Sequence, residues 1–114
     1  MNEKMRKKIF RQLCAEEGLP QPQAEYMFAK HIGRKWRADY YFERDGIKVA
    51  LEVEGGVWTR GRHTRASGYI KDMEKYNAMS RLGIYLLRCT PDKLIKVETI
   101  QMVKEVLSLK TAQQ

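Results

Sequence analysis

Apolar residues recur every four positions near the start of the chain, where Met5, Ile9 and Leu13 fall on one side of a helical projection. Because an α-helix turns once in about 3.6 residues, this spacing predicts a helix over residues 2–17. Gly18 ends the predicted helix, since glycine is common just beyond a helix C-terminus. The first element is therefore an amphipathic helix with basic residues on its polar side.

Two runs in which apolar and polar residues alternate, 36–43 and 47–54, predict neighbouring β-strands. A hairpin turn containing Asp45 and Gly46 joins them, because glycine readily adopts the positive φ angle that tight hairpin turns need. A short apolar run at residues 84–89 predicts a further strand, placed in the centre of the sheet.

The order of the elements predicts an α/β fold, in which a small mixed sheet of about three to four strands is flanked by helices. Residues 1–114 form one predicted domain, whose core covers about residues 22–91. The helices beyond the first one are predicted at residues 22–31, where Pro22 lies in the first turn, at residues 68–82 and at about residues 93–109.

The composition is that of a globular protein, with 43% hydrophobic and 32% charged residues. A domain of 114 residues buries a limited fraction of its surface, so that a homodimer is an open alternative. No segment approaches the ~18 apolar residues of a membrane-spanning helix, and the basic N-terminus lacks the apolar stretch of a secretory signal. Cys14 and Cys89 form no CxxC pair and are predicted to be reduced thiols. These features predict a cytoplasmic protein with no membrane partner.

The distribution of charge favours an anionic partner, most simply nucleic acid, because the net charge is +8 and the sequence pI is about 9.6. Composition alone does not exclude an acidic protein or a membrane surface. Positive charges concentrate in residues 1–11, 30–37 and 58–71, whereas residues 39–54 hold five acidic and two basic residues. An acidic segment within a basic chain is the pattern expected of a metal site beneath a phosphate-binding surface.

Three carboxylates of the acidic segment are predicted to lie close together. Glu52 and Glu54 project from the same face of one strand, and pairing around the hairpin turn places Asp39 across from Glu52. Carboxylates this close repel one another unless protons or a cation intervene. Oxygen ligands of this kind suit Mg²⁺ or Mn²⁺. The alternative is that Glu52 and Glu54 belong to an exposed polar strand face.

Five short motifs follow one another along the chain, namely WRADY, LEVEGGVW, GRHTR, DMEKYN and LGIYLLRCT. In this order they resemble the PD-(D/E)XK nuclease superfamily, and within it the very-short-patch-repair-like and small phage endonuclease branch. The resemblance covers about residues 25–90. It implies a restriction-endonuclease-like core and an endonuclease that uses Mg²⁺ or Mn²⁺ and acts on nucleic acid, DNA rather than RNA. It also implies action at the nucleoid or, for a phage protein, in the host cytoplasm.

Carried over residue by residue, the resemblance implies that Asp39 and Glu52 bind the metal and that the backbone carbonyl of Val53 adds a ligand. Glu54 stands where the superfamily motif has lysine, and this departure removes a positive charge from the site. Glu54 is therefore expected to bind the metal or a second metal. Glu25, on the predicted helix before the first strand, matches the position of another metal-site acid in many relatives, and it fits an exposed helix residue equally well.

The positive charge absent from the motif is expected to come from His63 or Lys75. An imidazole titrates near neutral pH, so His63 suits proton transfer, although a phosphate contact or an exposed histidine is the alternative. Lys75 shares a helical face with Asp72 and Tyr76, where an ordinary helical ion pair is the alternative. The candidate nucleic-acid-binding residues are Arg60, Arg62, Arg65, Lys71, Tyr76 and Arg37.

The predicted function is that of an endonuclease that hydrolyses phosphodiester bonds with the help of a divalent metal. In this prediction Asp39, Glu52 and Glu54 hold the ion, and His63 or Lys75 assists proton transfer. The basic N-terminal helix and the loop that carries Arg60, Arg62 and Arg65 bind the nucleic-acid backbone. No helix offers an obvious base-reading set, which favours structure-dependent or low-specificity cutting. A non-catalytic nucleic-acid-binding module on the same scaffold is the alternative, and an enzyme acting on another phosphoester is a third.

Overall fold

Residues 1–55 and 66–109 are described by a computed structural model, which confirms an α/β fold with a four-stranded mixed sheet. None of the helices in these two ranges is both long enough and apolar enough to span a membrane. Short 3₁₀ helices precede β2 and α3. The helices are α1 (Glu3–Glu16), α2 (Ala66–Arg81) and α3 (Val97–Leu107), and the strands are β1 (Gln23–Tyr26), β2 (Ala38–Arg44), β3 (Ile47–Val53) and β4 (Ile84–Cys89).

The first helix begins and ends for local reasons that the sequence contains. The side chain of Asn2 accepts a hydrogen bond from the Met5 N–H at 2.8 Å, which satisfies one of the unpaired N–H groups of the first turn. Gly18 adopts a φ of 73° beyond the last turn, and this left-handed conformation favours glycine. The helix is therefore close to the predicted range of residues 2–17.

The sheet has the order β1-β2-β3-β4, and its neighbouring strands are antiparallel except for the parallel pair of β3 and β4. α2 connects that pair, because parallel strands need a crossover connection. The prediction that residues 84–89 lie in the centre of the sheet is wrong, since β4 is the edge strand of the described sheet. Its apolar residues are explained by α2 and α3, which both pack against it.

The predicted helix at residues 22–31 is wrong. This segment forms β1 and a 3₁₀ helix at Lys30–Ile32 instead. Tyr26 of β1 stacks on Tyr41 of β2 with ring centroids 4.2 Å apart, so that packing between strands outweighs the local helical signal. Pro22 directly precedes β1 at an edge of the sheet, where a residue without an N–H is tolerated.

Apolar side chains pack on both faces of the sheet. α1 and α3 contribute to one core cluster, in which the ring of Phe10 lies 4.7 Å from that of Tyr40. α2 contributes to a second cluster, in which Ala78 and Met79 are buried together with Ala50 of β3. The hairpin of β2 and β3 therefore runs between two apolar layers. Asp39 and Glu52 lie at the end of the hairpin away from its turn.

Candidate functional site

Asp39 and Glu52 are tied together at the open end of the β2–β3 hairpin. The register pairs Tyr40 with Leu51, which places Asp39 opposite Glu52. The N–H of Asp39 donates to Glu52 Oε2 at 2.8 Å, and the N–H of Val53 donates to Asp39 Oδ2 at 2.8 Å. Side-chain carboxylates thus take the place of main-chain acceptors where the two strands begin to separate. Each acid is held by the backbone of the opposite strand.

Lys75 reaches the same site from α2. Its Nζ lies 2.6 Å from Glu52 Oε1, and the Lys75 side chain is only 17% exposed. Glu52 as a residue is 4% exposed, which is rare for a carboxylate unless a positive partner is present. One oxygen of Glu52 therefore faces a backbone N–H and the other faces an ammonium group.

Glu54 contacts a different pair of residues, Tyr76 and Arg88, on the α2 side of the sheet. Its Oε2 accepts a hydrogen bond from the Tyr76 hydroxyl at 3.2 Å and lies 3.3 Å from Nε of Arg88. The guanidinium of Arg88 also lies 4.4 Å from the centroid of the Tyr76 ring. Burial, and then the charge of Glu54, raise the pKa of Tyr76 above its ordinary range, so this hydroxyl remains a donor.

Glu25 lies beside Asp39 on the neighbouring strand β1, and not on the predicted helix. The register pairs Ala24 with Tyr40 and Tyr26 with Ala38, which places Glu25 opposite Asp39. Glu25 has a φ of 51°, a left-handed conformation that is strained for glutamate. Its carboxylate lies 3.8 Å from Nη1 of the exposed Arg37.

Acids from three neighbouring strands therefore occupy one row, in the order Glu25, Asp39 and Glu52. Within residues 1–55 and 66–109, however, no group of three or more Asp, Glu, His or Cys side chains is arranged to hold a metal ion. The structure brings Asp39 and Glu52 together and takes Glu54 to Arg88 and Tyr76. That Asp39, Glu52 and Glu54 share a divalent ion therefore stays a prediction.

A groove of about 400 Å³ lies between α1 and the open end of the hairpin. Asp39, Glu25 and Val53 line it from the sheet, while the nearly buried Glu52 is not among its described lining residues. α1 contributes the acidic Glu3 and three basic side chains to the opposite wall. The basic side chains are Arg6, Lys7 and Arg11.

Some of the remaining predicted site residues lie within the described ranges and others do not. Lys71 and Asp72 are exposed on α2. The predicted loop residues Arg60, Arg62, His63 and Arg65 lie outside the described residues.

Sequence reasoning missed Arg88. The parallel register pairs Arg88 with Glu52, so that its side chain reaches Glu54 at the end of β3. A hairpin turn fixes the register of β2 against β3, but a helical crossover leaves the register of β3 against β4 open. The arginine of the LGIYLLRCT motif was the one feature of the sequence that could have indicated this contact with Glu54.

Comparison of the chain with protein-family models, with curated proteins and with solved structures finds no match.

Proposed function

We propose that the protein is an endonuclease that hydrolyses phosphodiester bonds of nucleic acid, DNA rather than RNA, with the help of a divalent metal. The observation that carries this proposal is the chain of contacts from Lys75 through Glu52 to Asp39 beside a groove with a basic wall. A buried carboxylate, a groove-lining carboxylate and an ammonium group at one strand end supply the kinds of metal ligand and proton-transfer group that metal-assisted hydrolysis uses.

The donor atoms fit Mg²⁺ or Mn²⁺. Mg²⁺ is usually bound through one or two carboxylates, with water and substrate phosphate completing its shell, so a group of three protein acids is not required. Asp39 would hold the ion together with the backbone carbonyl of Val53, and Glu25 would add a carboxylate from the groove. Glu52 would join them by releasing either Lys75 or the Asp39 N–H. When bound, such an ion neutralises charge on a scissile phosphate and activates water.

Lys75 supplies the positive charge that position 54 lacks. Its ammonium group balances Glu52 in a nearly dry environment and stands where it can hold or deliver a proton next to the acids. Glu54 takes a positioning role in this proposal, because its Oε2 contacts Arg88 and Tyr76, whereas Glu52 is hydrogen-bonded to the N–H of Asp39. His63 adds a second group for proton transfer, and Arg60, Arg62 and Arg65 add phosphate contacts.

The test is a cleavage assay on forked, four-way and plain duplex DNA with Mg²⁺, with Mn²⁺ or with a chelator. Asp39→Asn and Glu52→Gln are expected to abolish metal-dependent cleavage and to leave DNA binding intact or tighter. Glu105→Gln, which removes an exposed carboxylate on α3, is the matched control and should cut like the wild type. Cleavage by both site variants at the wild-type rate would refute the assignment.

A non-catalytic nucleic-acid-binding module is the second candidate function. The observation that favours it is the Lys75–Glu52 contact itself, because a permanent ion pair balances the buried carboxylate without a metal. Calorimetric titration with Mn²⁺ separates the two candidates, since only the nuclease needs saturable binding that Asp39→Asn removes. We further propose that the protein acts in the cytoplasm. A homodimer is part of the proposal, and sedimentation velocity tests it.

A further inference from the structure

Helix α1, which lies outside the segment that carries the family resemblance, forms one wall of the groove that Asp39 lines. Arg6, Lys7 and Arg11 face this groove, whereas Lys4 and Lys8 of the same helix are not among its lining residues. The positive charge of α1 is therefore divided between a groove side and an outer side. Only the groove side lies opposite the candidate site.

The two arginines on this wall contact neutral oxygens within the described residues. Arg11 Nη1 donates to the carbonyl of Pro22 at 3.3 Å, and Arg6 Nη2 donates to the carbonyl of Met1 at 3.4 Å. These contacts orient the guanidinium groups, and within residues 1–55 and 66–109 neither group forms an ion pair. Lys7, in contrast, lies 3.3 Å from the exposed Glu3, and a solvent-exposed helical pair of this kind contributes little.

The position of α1 relative to the acids is fixed by aromatic packing. Phe10, which is fully buried, lies 4.7 Å from the ring of Tyr40, the residue that follows Asp39 in β2. Phe10 also contacts Phe42 edge to face at 6.3 Å. Because Phe10 lies between Arg6 and Arg11 in sequence, the same contact sets the distance from the arginines to the acid row. A ligand held by α1 would thus be held at a defined place relative to Asp39.

We propose that Arg6 and Arg11 bind consecutive phosphates of duplex DNA and so position the backbone across Asp39. This inference rests on the proposed function and names the element that holds its substrate. Guanidinium groups suit this ligand, because their planar donors match phosphate oxygens in pairs. The groove combines these donors on α1 with acidic residues on its opposite wall. The DNA backbone would be attracted to α1, and a phosphate would then face the acids.

The experiment measures binding without cleavage. A fluorescent duplex of about 20 base pairs is titrated in chelator, at salt concentrations from about 50 to about 200 mM. The double variant Arg6→Gln/Arg11→Gln is compared with Lys4→Gln/Lys8→Gln, which removes the same charge from the same helix. Circular dichroism melts establish that both variants are folded.

The groove-side variant should lower the slope of log affinity against log salt by about 1.8, since each lost phosphate contact removes about 0.9. The outer-side variant should keep the wild-type slope. Equal slopes for the two variants would overturn the inference, even if Asp39→Asn abolishes cleavage. A selective loss of slope in the groove-side variant would support it, even if both acid variants keep cutting and the nuclease assignment fails.

Discussion

Lys75 Nζ lies 2.6 Å from Glu52 Oε1, so that a helix residue 23 positions further along the chain balances the buried carboxylate of β3. The positive charge at the candidate site therefore comes from α2 and not from the strand that carries the acid. Because α2 is the crossover between β3 and β4, its packing against β4 also sets the place of Lys75. The packing of the crossover helix α2 therefore determines the geometry of the Lys75–Glu52 contact.

Lys75→Met should lower the free energy of unfolding by about 3 kcal/mol, because it leaves an almost fully buried carboxylate without its cation. Glu52→Gln should also destabilise the protein, since the ammonium group then loses its partner. The double variant should lose less than the sum of the two, because neither charge remains and the introduced glutamine side chain still offers an acceptor to the Asp39 N–H. Urea unfolding followed by circular dichroism measures all three. Strict additivity would show that the contact contributes nothing.

Glu54→Gln should keep most of the metal-dependent cleavage, whereas Glu52→Gln should lose it. The reason is that Glu54 Oε2 contacts Arg88 and Tyr76, whereas Glu52 is tied to the Asp39 strand, and the introduced glutamine can still accept a hydrogen bond from the Tyr76 hydroxyl. The expected loss for Glu54→Gln is about tenfold or less, through displacement of α2. Single-turnover cleavage of the best duplex substrate measures it. If Glu54→Gln is as inactive as Glu52→Gln, the carboxylate of Glu54 is a metal ligand after all.

The hairpin end was predictable because its determinants are local. Alternation and the turn at Asp45 and Gly46 place Asp39 opposite Glu52, which the observed pairing of Tyr40 with Leu51 reproduces. Helical spacing likewise placed Lys75 and Tyr76 on one face of α2, and both contact acids of the site.

Features that depend on packing between distant segments could not be predicted. The sequence of residues 22–31 favours a helix, but Tyr26 stacks on Tyr41 and residues Gln23–Tyr26 form an edge strand instead. The partner of Glu54 required the parallel register of β4, which no turn determines. The division of α1 into a groove side and an outer side required the contact of Phe10 with Tyr40, which joins residues far apart in sequence.

Glu25→Gly should raise the free energy of unfolding by about 0.5 kcal/mol and reduce cleavage. Glycine relieves the left-handed strain at a φ of 51°, and this gain exceeds the entropy that glycine loses in the edge strand. Asp45→Gly is the control, because Asp45 has a similar φ of 50° in a hairpin turn that accepts aspartate. Its stability should change little. Glu25→Gln separates strain from charge, since it keeps the strain and removes the carboxylate.

Gly55→Ala should destabilise the protein and impair cleavage. A Cβ at Gly55 would lie 2.7 Å from Cγ of Pro91, and the proline ring cannot move aside as a flexible side chain would. The end of β3 and the wall of the groove would have to separate, at a cost of about 1 to 3 kcal/mol. Gly68→Ala is the control, because its Cβ meets no atom within 4 Å and lies in α2, where alanine is favoured. Thermal melts should therefore shift in opposite directions for the two variants.

Alkaline pH should destabilise the protein partly through Cys14. Burial raises the pKa of this thiol from 9.0 to about 12, and burial also raises that of Cys89, to about 11. The unfolded chain loses the Cys14 proton near pH 9.0, whereas the folded chain keeps it, so the stabilisation is complete below that pH and declines above it. The expected decline is about 1.4 kcal/mol per pH unit from this thiol.

Cys14→Ala should reduce this alkaline decline while lowering stability at neutral pH, because it leaves a small cavity beside Phe10. The difference in unfolding free energy between wild type and variant should shrink as the pH rises from about 8.5 to about 10. Urea titrations in the presence of a reductant at several pH values in this window measure it. A difference that stays constant across the window would show that Cys14 titrates alike in both states, and that its burial does not hold the proton.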